Sequence, residues 1–157
     1  MDTNKKILIL YYSKSGVTEK LASQIQKDLN CDMIKIEPTE EYGNYLSANI
    51  RVMKENRNKI IPGFKTPIPN LDNYSIILLG YPVWSQKPPV FVSDFMSHCD
   101  VSGKKVIPFA TFGMTGVKWT LKTVAASCKD AEISLPFNYG ISKKDNYDEW
   151  INNIKKL

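Results

Sequence analysis

Six consecutive residues, Ser13-Lys14-Ser15-Gly16-Val17-Thr18, bring three hydroxyls, a cation and a glycine together between an apolar run and a helical pattern. That combination suits an anion. At a helix N-terminus the first backbone N–H groups have no partner within the helix, and the aligned peptide dipoles add partial positive charge. Gly16 permits a tight turn and close approach of a ligand to the backbone, and the hydroxyls supply further donors. The same serines and threonine also suit plain helix capping by Ser15 or Thr18. The segment is not a triphosphate loop, because Gly-Lys-Ser/Thr at the required spacing is absent. No G-x-G-x-x-G follows any apolar run, which argues against a dinucleotide site.

Other reactive side chains are sparse. Cys31, Cys99 and Cys128 are odd in number, far apart and without CxxC spacing, so they read as semi-buried thiols rather than disulfide partners or zinc ligands. The single histidine, His98, has no cluster of cysteines or carboxylates in sequence and reads as structural. No hydrolytic triad and no metal site is expected. The formal charge is +5, but the lysines are scattered rather than interleaved with aromatics, which argues against nucleic acid. The densest basic groups, Lys54/Arg57/Lys59 and Lys155/Lys156, are candidate docking points for an acidic partner.

The elements that must position the anion site follow from hydrophobic patterning. Lys6 to Tyr12 (KILILYY) is a continuous apolar run, as expected of a strand buried on both faces. Val17, Leu21, Ala22, Ile25 and Leu29 then recur at helical spacing, giving an amphipathic helix of about three turns. Met33 to Glu37 alternates and is closed by Pro38, a shorter strand nearer an edge. Leu46, Ile50 and Met53 predict the apolar face of a second helix. Prolines 62, 67 and 69 mark the stretch from Ile60 to Asp72 as irregular.

Ser75 to Tyr81 repeats the buried-strand pattern and leads into Pro82-Val83-Trp84-Ser85, after which Pro88 and Pro89 open a helix through Cys99. Lys104 to Thr111 repeats it again, followed by the loop Phe112 to Gly116 and a helix carrying Val117, Leu121, Val124 and Cys128. Ile133 to Phe137 is a fifth strand candidate, and Tyr147, Trp150, Ile151 and Ile154 form one face of a terminal helix. Strands alternating with helices predict an α/β three-layer sandwich around a parallel sheet. Ligands of such folds bind beyond the carboxyl ends of the strands.

At 157 residues and 43% hydrophobic content, residues 1–157 are expected to form one domain. The polar opening Met1-Asp2-Thr3-Asn4 and the short run Ile7 to Tyr12 fit neither a signal core nor a membrane span, so a cytoplasmic protein is expected.

Three stretches together resemble a known family. ILYYSKSGVTEKLASQI (residues 9 to 25) is similar to the flavodoxin signature, with Ser13, Gly16, Thr18, Ala22 and Ile25 at the family spacing. GYPVWSQKPPVFVSDFM (80 to 96) and VIPFATFGMTG (106 to 116) resemble the second and third flavin loops of the short flavodoxin-like branch. The resemblance implies a flavodoxin-like, doubly wound, five-stranded parallel sheet in the order 2-1-3-4-5, with non-covalently bound FMN as cofactor.

By the same resemblance Ser13, Lys14, Ser15, Gly16, Val17 and Thr18 hold the FMN phosphate. Pro82, Val83 and Trp84 lie along the isoalloxazine ring, and Thr111, Phe112, Gly113 and Gly116 complete the pocket. An indole face stacks well on a flat tricyclic ring, and Phe112 is a similar candidate with Phe109 assigned to the core. No side chain is expected to act as a catalyst, because the flavin carries the redox chemistry. Two departures from the family stand out. Lys87 and Lys118 occupy loops where flavodoxins are acidic, and Met114 stands where the branch often has glycine.

The expected function is electron transfer between redox partner proteins, a reductase and an acceptor. The alternative is an NAD(P)H-dependent FMN quinone or flavin reductase, which would bind NAD(P)H transiently. A third reading is a cofactor-free binding module of the same fold. No nucleic acid and no membrane partner is expected.

Overall fold

A computed structural model describes residues 6–157, with the side chains of Tyr45, Leu46 and Asn49 excepted. The polar opening Met1–Asn4 lies outside the described residues. The first strand, β1 (Ile7–Tyr11), is apolar throughout because each face meets a different helical layer. Leu8 and Leu10 point into one cluster, and Ile9 and Tyr11 into the other. In β3 (Ile76–Pro82) and β4 (Lys105–Phe112) the same alternation sends Ile77, Leu79 and Val106 one way and Ile76, Leu78 and Ile107 the other.

With the edge strand β2 (Asp32–Lys35), these form a parallel sheet that runs β2-β1-β3-β4 and continues into the fifth position. The order 2-1-3-4-5 is therefore as expected. Helices α1 (Val17–Leu29) and α5 (Tyr147–Lys155) cover one face through Leu21, Ala22, Ile25, Trp150, Ile151 and Ile154. Helices α2 (Tyr45–Asn58), α3 (Val90–Ser97) and α4 (Leu121–Ser127) cover the other.

The fifth strand departs from the sequence reading of Ile133 to Phe137. It is two pieces, β5 (Glu132–Ile133) and β6 (Phe137–Gly140), both parallel to β4. Between the pairs Val106↔Ile133 and Phe109↔Phe137, three residues (134 to 136) lie opposite two (107 and 108). Pro108 and Pro136 both lack an N–H for the ladder, and Leu135 turns out at φ 47°. Its carbonyl accepts instead from the Trp150 indole N–H at 2.7 Å.

Helix α2 also differs from its predicted face. Ile50 and Met53 are 46% and 60% exposed, whereas Ala48, Val52 and Glu55 turn inward. The Leu46 side chain is outside the described positions. The inward glutamate, 4% exposed, accepts from the Tyr42 hydroxyl at 2.9 Å and from Arg51 Nε at 2.8 Å. A polar network thus occupies the position where periodicity expects an apolar side chain. Helix α3 ends at Ser97, short of Cys99, and a 3₁₀ turn (Val117–Thr120) precedes α4. The stretch from Ile60 to Asp72 carries no helix or named strand.

Candidate functional site

The carboxyl ends of β1, β3 and β4 deliver the three loops to one rim of the sheet, and Thr111 ties them together. At the first loop, Tyr12 N–H donates to Gly80 O at 3.0 Å, which carries the chain off β1 alongside β3. The buried Ser13 hydroxyl accepts from Gly16 N–H at 3.1 Å, closing the turn. Gly16 sits at φ 95°, a left-handed conformation that any side chain would strain, and a Cβ there would point into open space.

Among the described residues no side chain caps α1, and neither Ser15 nor Thr18 acts as its cap. Lys20 N–H makes the first helical bond, to Gly16 O at 3.0 Å, and among the described residues the Val17, Thr18 and Glu19 amides have no acceptor. The Thr18 hydroxyl, buried, lies 2.8 Å from the Thr111 hydroxyl. Two hydroxyls joined by one hydrogen bond leave one proton over for a third acceptor. Lys14 and Ser15 are exposed beside them.

In the second loop Pro82 stands in register with Thr111, and Val83 N–H donates to Thr111 O at 2.9 Å. Trp84 and Lys87 then exchange backbone hydrogen bonds of 2.8 and 3.1 Å around a two-residue turn. Its central residues Ser85 (φ 51°) and Gln86 (φ 63°) are both left-handed, the pattern of a type I′ turn usually built from Asn and Gly. The loop therefore holds backbone strain.

The Trp84 indole does not stand free at the rim. It is 7% exposed and packs edge-on against Tyr12 and Tyr42, at centroid distances of 5.7 and 4.8 Å. Its backbone shapes the loop while its ring belongs to the core. Within this aromatic cluster the Tyr12 hydroxyl is buried and has no hydrogen-bond partner among the described residues.

In the third loop Thr111 is buried and Phe112 half-buried, its ring lying across Gly140 of β6. A Cβ at Gly140 would collide with that ring, which accounts for glycine there. Phe109 fills the equivalent role against Gly80 on the other face, fully buried in the core. Gly113 borders open space.

Gly116 lies against Asn138, whose role sequence reading missed. The buried Asn138 Oδ1 accepts from Val117 N–H at 2.9 Å, while its own N–H and Nδ2 donate to Asp145 Oδ2 at 2.8 and 2.9 Å. Ser142 adds N–H to Gly113 O at 2.9 Å and hydroxyl to Met114 O at 2.8 Å. The third loop is thus pinned from the loop after β6. An asparagine in a short strand matches no sequence motif, so only the fold exposes this contact.

Electrostatics leave the rim short of reactive groups. Burial, aided by the hydrogen bond to Glu19, pushes the Tyr11 phenol up to about 12. Burial raises the thiols too, Cys31 to about 11 and Cys99 and Cys128 to about 12, so all three stay protonated near neutral pH. His98 faces Asp94 across one helical turn at 3.4 Å. Among the described residues no group of three or more His, Cys, Asp and Glu could hold a metal ion, and no helix is long and apolar enough to cross a membrane.

The fold recurs in solved structures. A protein from Bacteroides eggerthii named as a flavoprotein superposes with a TM-score of 0.80 at 23% identity, covering 98% of this chain and 97% of its own. A flavoprotein from Lactobacillus acidophilus, solved in complex with FMN, gives 0.75 at 24% identity, covering 93% and 98%. Oxidised flavodoxin 2 from Bacillus cereus gives 0.56 at 21% identity, covering 97% and 99%. No curated protein matches the sequence. The flavodoxin family itself matches over residues 6–154, nearly the full length, and the chain belongs to that family.

Proposed function

We propose that the chain binds FMN non-covalently at the rim of β1, β3 and β4 and passes electrons between a reductase and an acceptor protein. The observation that carries this reading is the uncapped N-terminus of α1. Three amides without an acceptor among the described residues, a left-handed glycine and the residual Thr18–Thr111 proton all belong to the start of α1 and the strand end beside it. A phosphate fits that donor set, which offers backbone N–H and hydroxyl groups and no acidic side chain in the turn from Ser13 to Thr18.

The flat ring fits between the second and third loops, where Gly113 borders open space and both loops are anchored to Thr111 or Asn138. When bound, FMN supplies the one- and two-electron chemistry. The protein's own residues bind and orient. Ser13, Lys14, Ser15, Gly16, Val17 and Thr18 hold the phosphate; Pro82, Val83 and the Trp84 backbone line one side of the ring; Thr111, Phe112, Gly113 and Gly116 line the other. Lys87, exposed at the second loop, contributes positive potential that favours added negative charge. The sequence carries no recognisable nicotinamide motif, with no G-x-G-x-x-G after any strand, which supports a carrier over a nicotinamide-dependent reductase.

The test is the visible spectrum of the protein after loading with FMN and removal of excess. A retained, shifted flavin band is the expected result, and an unchanged spectrum on anaerobic addition of NADH or NADPH agrees with the carrier. Rapid bleaching by either nucleotide would instead assign a reductase, and failure to retain flavin would overturn the proposal.

A further inference from the structure

Two aromatic side chains bracket the turn of the second loop, and both rest on the same pair of tyrosines. Trp84, at the start of the turn, meets Tyr12 and Tyr42 at centroid distances of 5.7 and 4.8 Å. Phe91, in the first turn of α3, meets the same two rings at 4.7 and 5.8 Å. Between them stand Ser85 and Gln86, both left-handed at φ 51° and 63° without being glycine. A turn of that kind is costly by itself, so it persists only where its surroundings hold it.

The two tyrosines are themselves placed by different means. Tyr12 comes straight off β1, and its N–H donates to Gly80 O at 3.0 Å. Tyr42 lies in irregular chain between β2 and α2 and is placed by side chains of α2. Its hydroxyl donates to Glu55 Oε2 and Oε1 at 2.9 and 3.2 Å, and the Arg51 guanidinium stands 3.8 Å from its ring centroid. Arg51 also donates to the carbonyls of Glu40 and Glu41, just ahead of Tyr42, and its Nε meets Glu55 Oε1 at 2.8 Å. Apolar residues of similar volume commonly serve stability as well as a buried ion pair does. What this pair adds is direction, because it fixes the Tyr42 ring at its hydroxyl and across its face.

We propose that Tyr42, oriented by Arg51 and Glu55, is a positioning residue for the second loop, holding Trp84 and Phe91 so that the left-handed turn between them keeps the shape that receives the flavin ring. The proposal rests on the reading of that loop as one wall of the FMN site. It gives the buried polar group of α2 a task beyond the helix itself, carried through Tyr42 to the turn. A loop already held in shape spares the ligand the cost of ordering it.

The test combines fluorescence titration with FMN and with riboflavin and urea unfolding of the flavin-free protein, with circular dichroism showing that each variant folds. Tyr42→Leu should weaken binding of both flavins alike, about tenfold, because the ring end of the site changes and the phosphate end does not. Arg51→Met/Glu55→Gln, which removes both charges and keeps most of the volume, should weaken both about threefold or more. It carries the same test if Tyr42→Leu does not fold. Ser85→Asn/Gln86→Gly supplies the residues that a type I′ turn favours. Added to either weakened variant, it should improve flavin binding by a factor at least about three times larger than it does in the wild type. In urea the order reverses: the turn substitution should raise the wild-type midpoint more than that of the weakened variant, where the turn has already relaxed. A residue that merely fills the core would show neither asymmetry. Equal effects of the turn substitution in both backgrounds, or loss of FMN binding with riboflavin binding intact, would overturn the proposal. Wild-type protein that retains neither flavin defeats the reading of the site, and the urea comparison still decides whether Tyr42 holds the turn.

Discussion

The hydroxyl of Thr18, on the first turn of α1, lies 2.8 Å from that of Thr111 at the end of β4, 93 residues later in the chain. The Thr111 carbonyl also accepts from Val83 N–H at 2.9 Å. One residue therefore sets the relative positions of all three loops. Thr111→Val keeps the shape and removes the hydroxyl, leaving Thr18 with an unmet buried group. The expected result is a loss of about 1 kcal/mol in urea unfolding of the cofactor-free protein. FMN affinity should fall roughly tenfold by fluorescence titration, since a loop displacement reaches the ligand as well. An unchanged affinity would show that the threonine pair serves stability only.

Gly16→Ala isolates the phosphate end of the site. A Cβ at Gly16 meets nothing within 4 Å, so the cost to the fold is confined to the left-handed backbone at φ 95°, about 1 to 2 kcal/mol. The ligand, by contrast, loses close approach to the α1 amides. Riboflavin, which lacks the phosphate, provides the control: affinity for FMN should drop by more than tenfold while affinity for riboflavin changes little. Parallel losses for both ligands would place the phosphate elsewhere.

Much of this arrangement was legible in the sequence because it depends on local patterning. The runs at Ile7–Tyr11, Ile76–Pro82 and Lys105–Phe112 are apolar on both faces, and Gly16 follows the first of them. What escaped depends on long-range pairing. The break in the fifth strand needs Pro108 of β4 to be seen opposite residues that contain Pro136. Asn138 acts through Val117, 21 residues away, and through Asp145. Trp84 reads as a stacking platform from its neighbours, and only the fold shows its edge-on packing against Tyr12 and Tyr42. The inward face of α2 was misread because a glutamate occupies it, satisfied by partners that periodicity cannot name.

That glutamate carries the third prediction. Glu55 is 5% exposed at its side chain and Arg51 27%, with Nε 2.8 Å from the carboxylate. Arg51 also stacks 3.8 Å from the Tyr42 ring centroid and donates through Nη1 to the carbonyls of Glu40 and Glu41 at 3.0 and 3.3 Å. Arg51→Ala strands a buried carboxylate and releases the loop before α2, an expected loss of about 3 kcal/mol. Arg51→Met with Glu55→Gln removes both charges and should recover at least half of it. A double-mutant cycle in urea measures the coupling, and additive losses would reject the pairing.

Tyr12 has the opposite sign. Its hydroxyl is buried among Tyr42, Trp84 and Phe91 and has no hydrogen-bond partner among the described residues. Tyr12→Phe removes that polar atom and keeps the ring, so stability should hold or rise by about 1 kcal/mol. A clear destabilisation in thermal or urea unfolding would mean that the hydroxyl has a partner in solution, such as an enclosed water.

Alkali should unfold this protein earlier than its carboxylate and lysine content suggests. Burial pushes the Cys99 and Cys128 thiols from 9.0 to about 12, and burial followed by the Glu19 hydrogen bond pushes Tyr11 from 10.0 to about 12. In each case the folded state holds its proton more tightly than the unfolded chain. The stabilisation is therefore complete below pH 9 for the thiols and below pH 10 for Tyr11, and is lost as the pH rises toward 12. Each group contributes a slope of at most about 1.4 kcal/mol per pH unit in that window. Urea midpoints at about pH 8 and about pH 10.5 should differ by an amount that Cys128→Ala reduces, because the variant has lost one of the ionising groups along with some core packing. A Cys128→Ala profile parallel to that of the wild type would mean that the thiol is reached by water and ionises as readily folded as unfolded.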